Sequence, residues 1–276
     1  MGKYCKKKKQ SKLNTVLAIL LPTFCVLLLL ALILTFGSFT AGTPEETDPP
    51  PALPEPAENP YTAADFEYED GYLTCTVADA RLGIDVSEHQ QNVDWEQIKA
   101  AGIDFVMIRV GYRGYTEGKR FQDSAFSRHL AGARAAGLDV GVYFFSQAIT
   151  PVEARNEAKY LLHLLKDDEA EMGIAFDWEF VSADARTGNV DGRTMTDCAI
   201  AFCQTIAAAG HKPIVYFNQY QALNQYELEE LTAYDFWLAM YTDEMTFPYR
   251  VNMWQYTEDG TVPGIEGTVD INLYLP

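Results

Sequence analysis

The stretch Gly173-Ile174-Ala175-Phe176-Asp177-Trp178-Glu179 sets two carboxylic acids one residue apart at the end of an apolar run. On a strand, alternate side chains share a face, so Asp177 and Glu179 point one way and Trp178 the other. The run lies between two helical patterns and reads as an inner parallel strand. Its acids then fall at the C-terminal end, where α/β barrels and open α/β sheets carry their chemistry. Most Asp-x-Glu pairs are simply solvated, so the surrounding elements decide what this one does.

Those elements alternate. Leu82 to Val86 is a short apolar strand, and Asp94 caps a helix reaching Ala101. Asp104 to Val110 is a second strand, followed by a helix from Asp123 to Ala136 that Gly137 stops. Val140 to Phe145 is the third strand, and Pro151 opens a helix to Leu165. The acid-bearing strand is fourth, with a helix from Thr194 to Ala209 behind it. Pro213 to Phe217, Phe236 to Met240, Val251 to Gln255 and Thr268 to Ile271 are the fifth to eighth strands, with a short helix over Tyr226 to Leu231. Strict alternation means a mainly parallel sheet with helical crossovers. About 195 residues are few for eight full units, so the fold class is α/β, a degenerate (β/α) barrel with reduced C-terminal helices.

The strand ends supply Asp85, Tyr143, Asp177, Glu179, Tyr216, Tyr241, Trp254, Gln255 and Asp270. Four carboxylates and a ring of aromatics at one mouth suit a carbohydrate cleft, because sugars offer apolar faces to stack and hydroxyls to hydrogen-bond. Four acids in one cleft repel one another, so at least one must have a raised pKa, as a general acid at neutral pH requires. The same acids are also oxygen donors of the kind that hold a divalent cation. A non-catalytic glycan-binding cleft is the other alternative.

Several of these segments resemble the glycoside hydrolase family 25 lysozymes of the Chalaropsis type. The segments are Gly83-Ile84-Asp85-Val86-Ser87-Glu88-His89-Gln90 with Val93-Asp94-Trp95, then Phe176-Asp177-Trp178-Glu179. They continue with Phe236 to Tyr241, Met253-Trp254-Gln255-Tyr256 and Gly267 to Asn272. The similarity runs over about residues 82–276, with Phe144 standing where many members have histidine. The resemblance implies a retaining muramidase that cuts the β-1,4 bond between N-acetylmuramic acid and N-acetylglucosamine, without a cofactor or metal. It implies that Glu179 is the proton donor and that Asp177 orients the substrate's own 2-acetamido group. Asp85 and Asp270 then tune pKa values and hold substrate. Tyr143, Tyr216, Tyr241, Trp254 and Gln255 then line the cleft, and Lys119 and Arg113 are candidates to meet the muramyl carboxylate or the stem peptide.

The remainder of the chain reads as an address. Residues 1–14 hold six lysines and no acid, and 15–36 are almost continuously apolar, long enough to span about 30 Å of hydrocarbon. Positive charge stays cytoplasmic, so the body is expected outside on a single-pass anchor, with a cleaved signal peptide as the alternative. Residues 37–60 are a spacer rich in proline and acid, 61–81 an extension with an Asp70-Gly71 turn, and 82–276 the catalytic domain. The expected partners are peptidoglycan strands and, through the N-terminal helix, a lipid bilayer. The chain has net charge −18, and −24 without the six lysines, which excludes nucleic acid, whose affinity rests on phosphate neutralisation. No protein partner is implied. Cys75, Cys198 and Cys203 make no disulfide framework; Cys198 shares an apolar helix stripe with Met195, Phe202 and Ile206, so a buried thiol is expected.

Overall fold

The computed structural model describes residues 53–276. The basic tail, the apolar span 15–36 and most of the spacer lie outside the described residues. Among the described residues, no helix is long and apolar enough to cross a membrane.

The body opens with a hairpin, β1 (Phe66–Glu69) and β2 (Tyr72–Cys75). Its turn is Asp70-Gly71, both at positive φ (51° and 89°), the backbone that a tight two-residue hairpin demands. Then follow β3 (Arg81–Val86), α1 (Trp95–Ala100), β4 (Phe105–Arg113), β5 (Arg120–Gln122), α2 (Phe126–Ala135), β6 (Asp139–Ser146), α3 (Pro151–Leu165) and β7 (Ile174–Trp178). The chain ends with α4 (Gly192–Ala208), β8 (Pro213–Asn218), α5 (Gln219–Asn224), β9 (Asp235–Ala239), β10 (Met253–Gly260) and β11 (Val269–Tyr274). The helix expected over Tyr226 to Leu231 is displaced. Asn218 and Gln221 form a reciprocal capping box that starts α5 earlier, and only a 3₁₀ turn, Leu228–Glu230, follows.

Eight strands close a barrel in the order β3-β11-β10-β9-β8-β7-β6-β4, with β4 returning to β3; β5 only extends β4 as a hairpin. Seven of the eight run parallel. β11 is antiparallel to both its neighbours, β10 and β3. A parallel crossover needs a dozen or more residues, and too few separate β10 from β11 to supply one. The reversal matters for the site. Asp270 is the second residue of β11, and on a parallel strand it would lie at the wrong end of the barrel.

The outer face of the barrel packs against the helices through the larger apolar core. Cys75, Cys198 and Cys203 are buried and free. Among the described residues no helix covers β10, and the hairpin does so instead. Phe66 meets Trp254 edge-on with ring centroids 5.3 Å apart, and the Leu73 amide donates to the Tyr256 hydroxyl (3.3 Å). The segment expected to be spacer is fastened to the body before residue 60: the Arg250 amide donates to the Ala57 carbonyl (2.8 Å) and the Asn59 amide to the Pro248 carbonyl (2.9 Å).

Inside the barrel a second, smaller cluster includes Phe105, Met107, Met172, Ala175, Ile214, Trp237 and Met253. Its rings need room that facing residues must leave. A Cβ on Gly83 would lie 2.2 Å from the Phe105 ring, and one on Gly141 would lie 2.3 Å from the Met107 sulfur. Above this plug the same inward positions turn polar, which makes the floor of a pocket.

Candidate active site

At the C-terminal mouth of the parallel strands lies a pocket of about 270 Å³. Asp85, Asp177, Glu179 and Asp270 all line it, with Tyr143, Tyr216, Tyr241 and Gln255. β7 delivers Asp177 and Glu179 to one face by alternation, while Trp178 turns outward and donates from Nε1 to the Ala148 carbonyl (3.0 Å). Asp85 and Asp270 come together differently: they are directly opposed in the β3–β11 register.

The four acids fall into two pairs, Asp177 beside Glu179 at the end of β7 and Asp85 opposite Asp270 across the β3–β11 register. Burial raises all four, because the charged form loses its water. Within the first pair, the charges of Glu179 and Asp85 push Asp177 further up, while Asp85 raises Glu179 and a hydrogen bond with Asp177 lowers it. Asp270 is pushed up to about 9 by burial and by Asp85. The two pairs differ in what else they touch. Asp85 Oδ2 accepts from Gln255 Nε2 and Asn272 Nδ2, both at 2.8 Å. Asn272 is held by Trp237 Nε1 (2.7 Å), and Gln255 Oε1 accepts from the hydroxyls of Tyr216 (3.0 Å) and Tyr241 (3.1 Å). Asp177 Oδ1, by contrast, is buried without any hydrogen-bond partner.

Three residues depart from expectation. Trp254 does not line the pocket. It is adjacent to inward-facing Gln255 on β10, so it must face outward, where it is fully buried and donates to the Met240 carbonyl (2.8 Å). Arg113 is buried and consumed by Glu157 (Nε to Oε1, 2.5 Å), with a second bond to the Gly118 carbonyl (2.6 Å). Lys119 is exposed, pairs with Glu117 and is absent from the pocket wall.

Two charged lining residues escaped the sequence reading. Arg109 shares its face of β4 with the barrel-filling Phe105 and Met107, a parity readable in the sequence. Its Nε donates to buried Asp123 (2.7 Å) and it pairs with Glu88 (3.3 Å). Glu258 lies past the apolar part of β10 and adds a fifth carboxylate to the wall; nothing in its surroundings in the sequence marks it. A second, wider cavity of about 580 Å³ continues from the pocket past Glu179, Tyr216, Tyr241 and Glu258 to Asn218, Tyr220 and Thr242. Another of about 630 Å³ lies away from the acids, between the loop after β3, α2 and the β10–β11 connection.

Comparison with known proteins agrees with this geometry. The sequence is 26% identical over 203 residues to the uncharacterized protein YegX of Escherichia coli K12, covering 70% of this chain and 68% of that one. It is 26% identical over 194 residues to the autolytic lysozyme of Clostridium acetobutylicum, covering 69% of this chain and 54% of that protein. The fold superimposes on the modular autolysin LytC of Streptococcus pneumoniae with a TM-score of 0.61 at 26% identity, over 76% of this chain and 52% of that one. Residues 84–265 match the family described as Glycosyl hydrolases family 25. Barrel, acid-lined mouth and this match together place the chain in glycosyl hydrolase family 25, as a glycoside hydrolase.

Proposed function

We propose that the chain is a peptidoglycan muramidase, hydrolysing the β-1,4 bond between N-acetylmuramic acid and N-acetylglucosamine with retention and with help from the substrate's acetamido group. The observation that carries the mechanism is the Asp177–Glu179 pair. Carboxyl groups that flank a sugar from opposite sides stand about 5–5.5 Å apart in retaining enzymes and about 6.5–9.5 Å apart in inverting ones. Here the two groups stand two residues apart at the end of β7 and line one pocket, so both meet the sugar from the same side. A nucleophile from the other side must then come from elsewhere, and the 2-acetamido oxygen of the substrate is positioned to provide it.

In this scheme Glu179 protonates the leaving oxygen. Asp177 Oδ1, buried and unpaired, accepts the acetamide N–H and balances the positive charge that develops as the ring closes. Glu179 then removes a proton from the water that opens the intermediate. Glu179 lines both the deep pocket and the wider cavity, whereas Asp177, Asp85 and Asp270 line only the deep one. The attacked sugar therefore sits deep, and the cavity past Glu179 receives the departing part of the strand. The apolar span 15–36 holds this body outside the cell, where such a glycan lies.

The test is digestion of purified peptidoglycan by the wild-type chain beside Glu179→Gln, with the products identified by mass spectrometry. Muramic acid at the new reducing ends supports the reading. N-acetylglucosamine at those ends, or equal digestion by both proteins, overturns it. Surface proteolysis of intact cells tests the placement: a body that is protected until lysis contradicts it.

A further inference from the structure

Glu179 stands one residue beyond the end of β7, which pairs with β6 only as far as Trp178. Its carbonyl lies past the ladder, because the next amide along from β6, that of Ala148, donates to the Ser146 hydroxyl (3.1 Å). A catalytic acid must be held within a fraction of an ångström of its leaving oxygen, and loss of that positioning is costly. Something other than the sheet must therefore hold this carbonyl.

The holder is a buried carboxamide. Gln147, in the turn after β6, is fully buried. Its Nε2 donates to the Glu179 carbonyl (2.8 Å) and to the Ser146 carbonyl (2.9 Å). Its Oε1 accepts from the hydroxyl of Thr187 (2.8 Å), itself buried, in the loop between β7 and α4. The backbone of Gln147 is anchored too. Its carbonyl accepts from Arg186, which also makes two bonds to Glu153 of α3 (2.7 and 2.8 Å). The neighbouring Ser146 hydroxyl donates to Glu157 of α3 (2.6 Å). Every polar atom of the Gln147 side chain is used, and one of its bonds goes to the residue that carries the acid.

We infer that Gln147, oriented by Thr187, is a positioning residue for the acid Glu179. The inference rests on the reading of Glu179 as the proton donor. A rigid, fully satisfied network is worth more in a buried site than its separate bonds in water. Removing the carboxamide leaves the Glu179 carbonyl free to drift, and the carboxyl moves with it. The consequence is a slower proton transfer, with substrate binding unchanged.

The experiment compares Gln147→Met, Thr187→Val and Glu179→Gln on two substrates: a natural glycan, whose leaving sugar needs a proton, and a glycoside with a dinitrophenyl leaving group, which departs without one. Gln147→Met should lower kcat on the glycan about 10- to 100-fold, with KM within about twofold, and should change the rate on the activated glycoside by less than about threefold. Thr187→Val, a milder change that keeps the side-chain shape, should move the same way by about 3- to 10-fold. An equal loss on both substrates makes Gln147 merely structural and overturns the inference, as does wild-type kcat in both variants. If Gln147→Met fails to fold, Thr187→Val decides by the same ratio. Full activity in Glu179→Gln is a separate outcome: it removes the acid assignment itself.

Discussion

The two carboxyl pairs are built from the same chemistry for opposite ends. Asp177 lies on β7 with Glu179 just past its end, and Asp177 keeps an oxygen without a partner. Asp85 and Asp270 meet across an antiparallel register, and two amides saturate Asp85. An unpaired buried oxygen costs stability, on the order of 1–3 kcal/mol for a group left unsatisfied. Keeping that cost at one pair and avoiding it at the other marks the first as waiting for a ligand and the second as part of the frame. The frame nevertheless acts electrically, since Asp85 raises both members of the first pair.

Substitutions that break this contrast should have graded effects. Glu179→Gln removes the proton donor and should lower kcat on glycan by about a thousandfold, within the usual range for general acid catalysis. Glycan binding by the variant, measured by pull-down on insoluble peptidoglycan, should persist; a loss of binding to match the loss of rate would mean that Glu179 acts in recognition. Asp177→Asn should cost about a hundredfold, the order expected when a preorganised charge at the reaction centre is lost. Burial and the charge of Asp85 hold Glu179 up, while Asp177 lowers it through a hydrogen bond, so the basic limb of the pH–rate profile should hold its place or shift to higher pH. A shift to lower pH would show that the Asp177 charge itself raises Glu179.

Asp85→Asn separates electrical from structural action at the second pair. The oxygen of asparagine can still accept from Gln255 and Asn272, and its amide can donate to Asp270, so the fold should survive with little change in Tm. With one charge gone, Asp177 and Glu179 should both titrate lower, and the basic limb should move to lower pH, which Asp177→Asn should not cause. A collapse in Tm would assign Asp85 to the frame alone.

Much of this arrangement is legible in the sequence, because it follows from period and parity. Apolar runs bounded by glycine and proline mark the barrel strands, and alternation puts Asp177 and Glu179 on one face. Parity also shows why Trp254 and Gln255 cannot both face the pocket, and why Arg109 must follow Phe105 and Met107 inward. What is not legible depends on partners far along the chain. The burial of Arg113 requires Glu157 on α3, which no local pattern connects to it. The mouthward position of Asp270 requires β11 to run backward, a matter of connection length and not of residue type. The hairpin over β10 stands where the described residues supply no helix, and its two short strands do not announce what they cover. Gln147 reads as a turn residue until the carbonyl it holds is known.

The smallest effect expected is on stability, and it tests the frame directly. Asp270 in the folded chain is raised to about 9, against about 3.9 for an unfolded aspartate. Between those values the folded state holds a proton that the unfolded state has released, so stability falls as pH rises across the window. The contribution is fully present below about pH 4 and is lost as pH rises toward 9. Asp270→Asn replaces the protonated acid by a neutral group of the same shape and has no proton to lose. Thermal melts from pH 5 to pH 9 should therefore show the wild type losing Tm relative to Asp270→Asn. A difference of about 1 kcal/mol shifts the Tm of a domain of this size by about 2–4 °C, so the gap should open by at least that amount. Parallel curves for the two proteins would mean that Asp270 is ionised in the folded state at neutral pH. The Asp85–Asp270 pair would then be a second charged cluster at the mouth of the barrel, and the division between a frame and a waiting site would be lost.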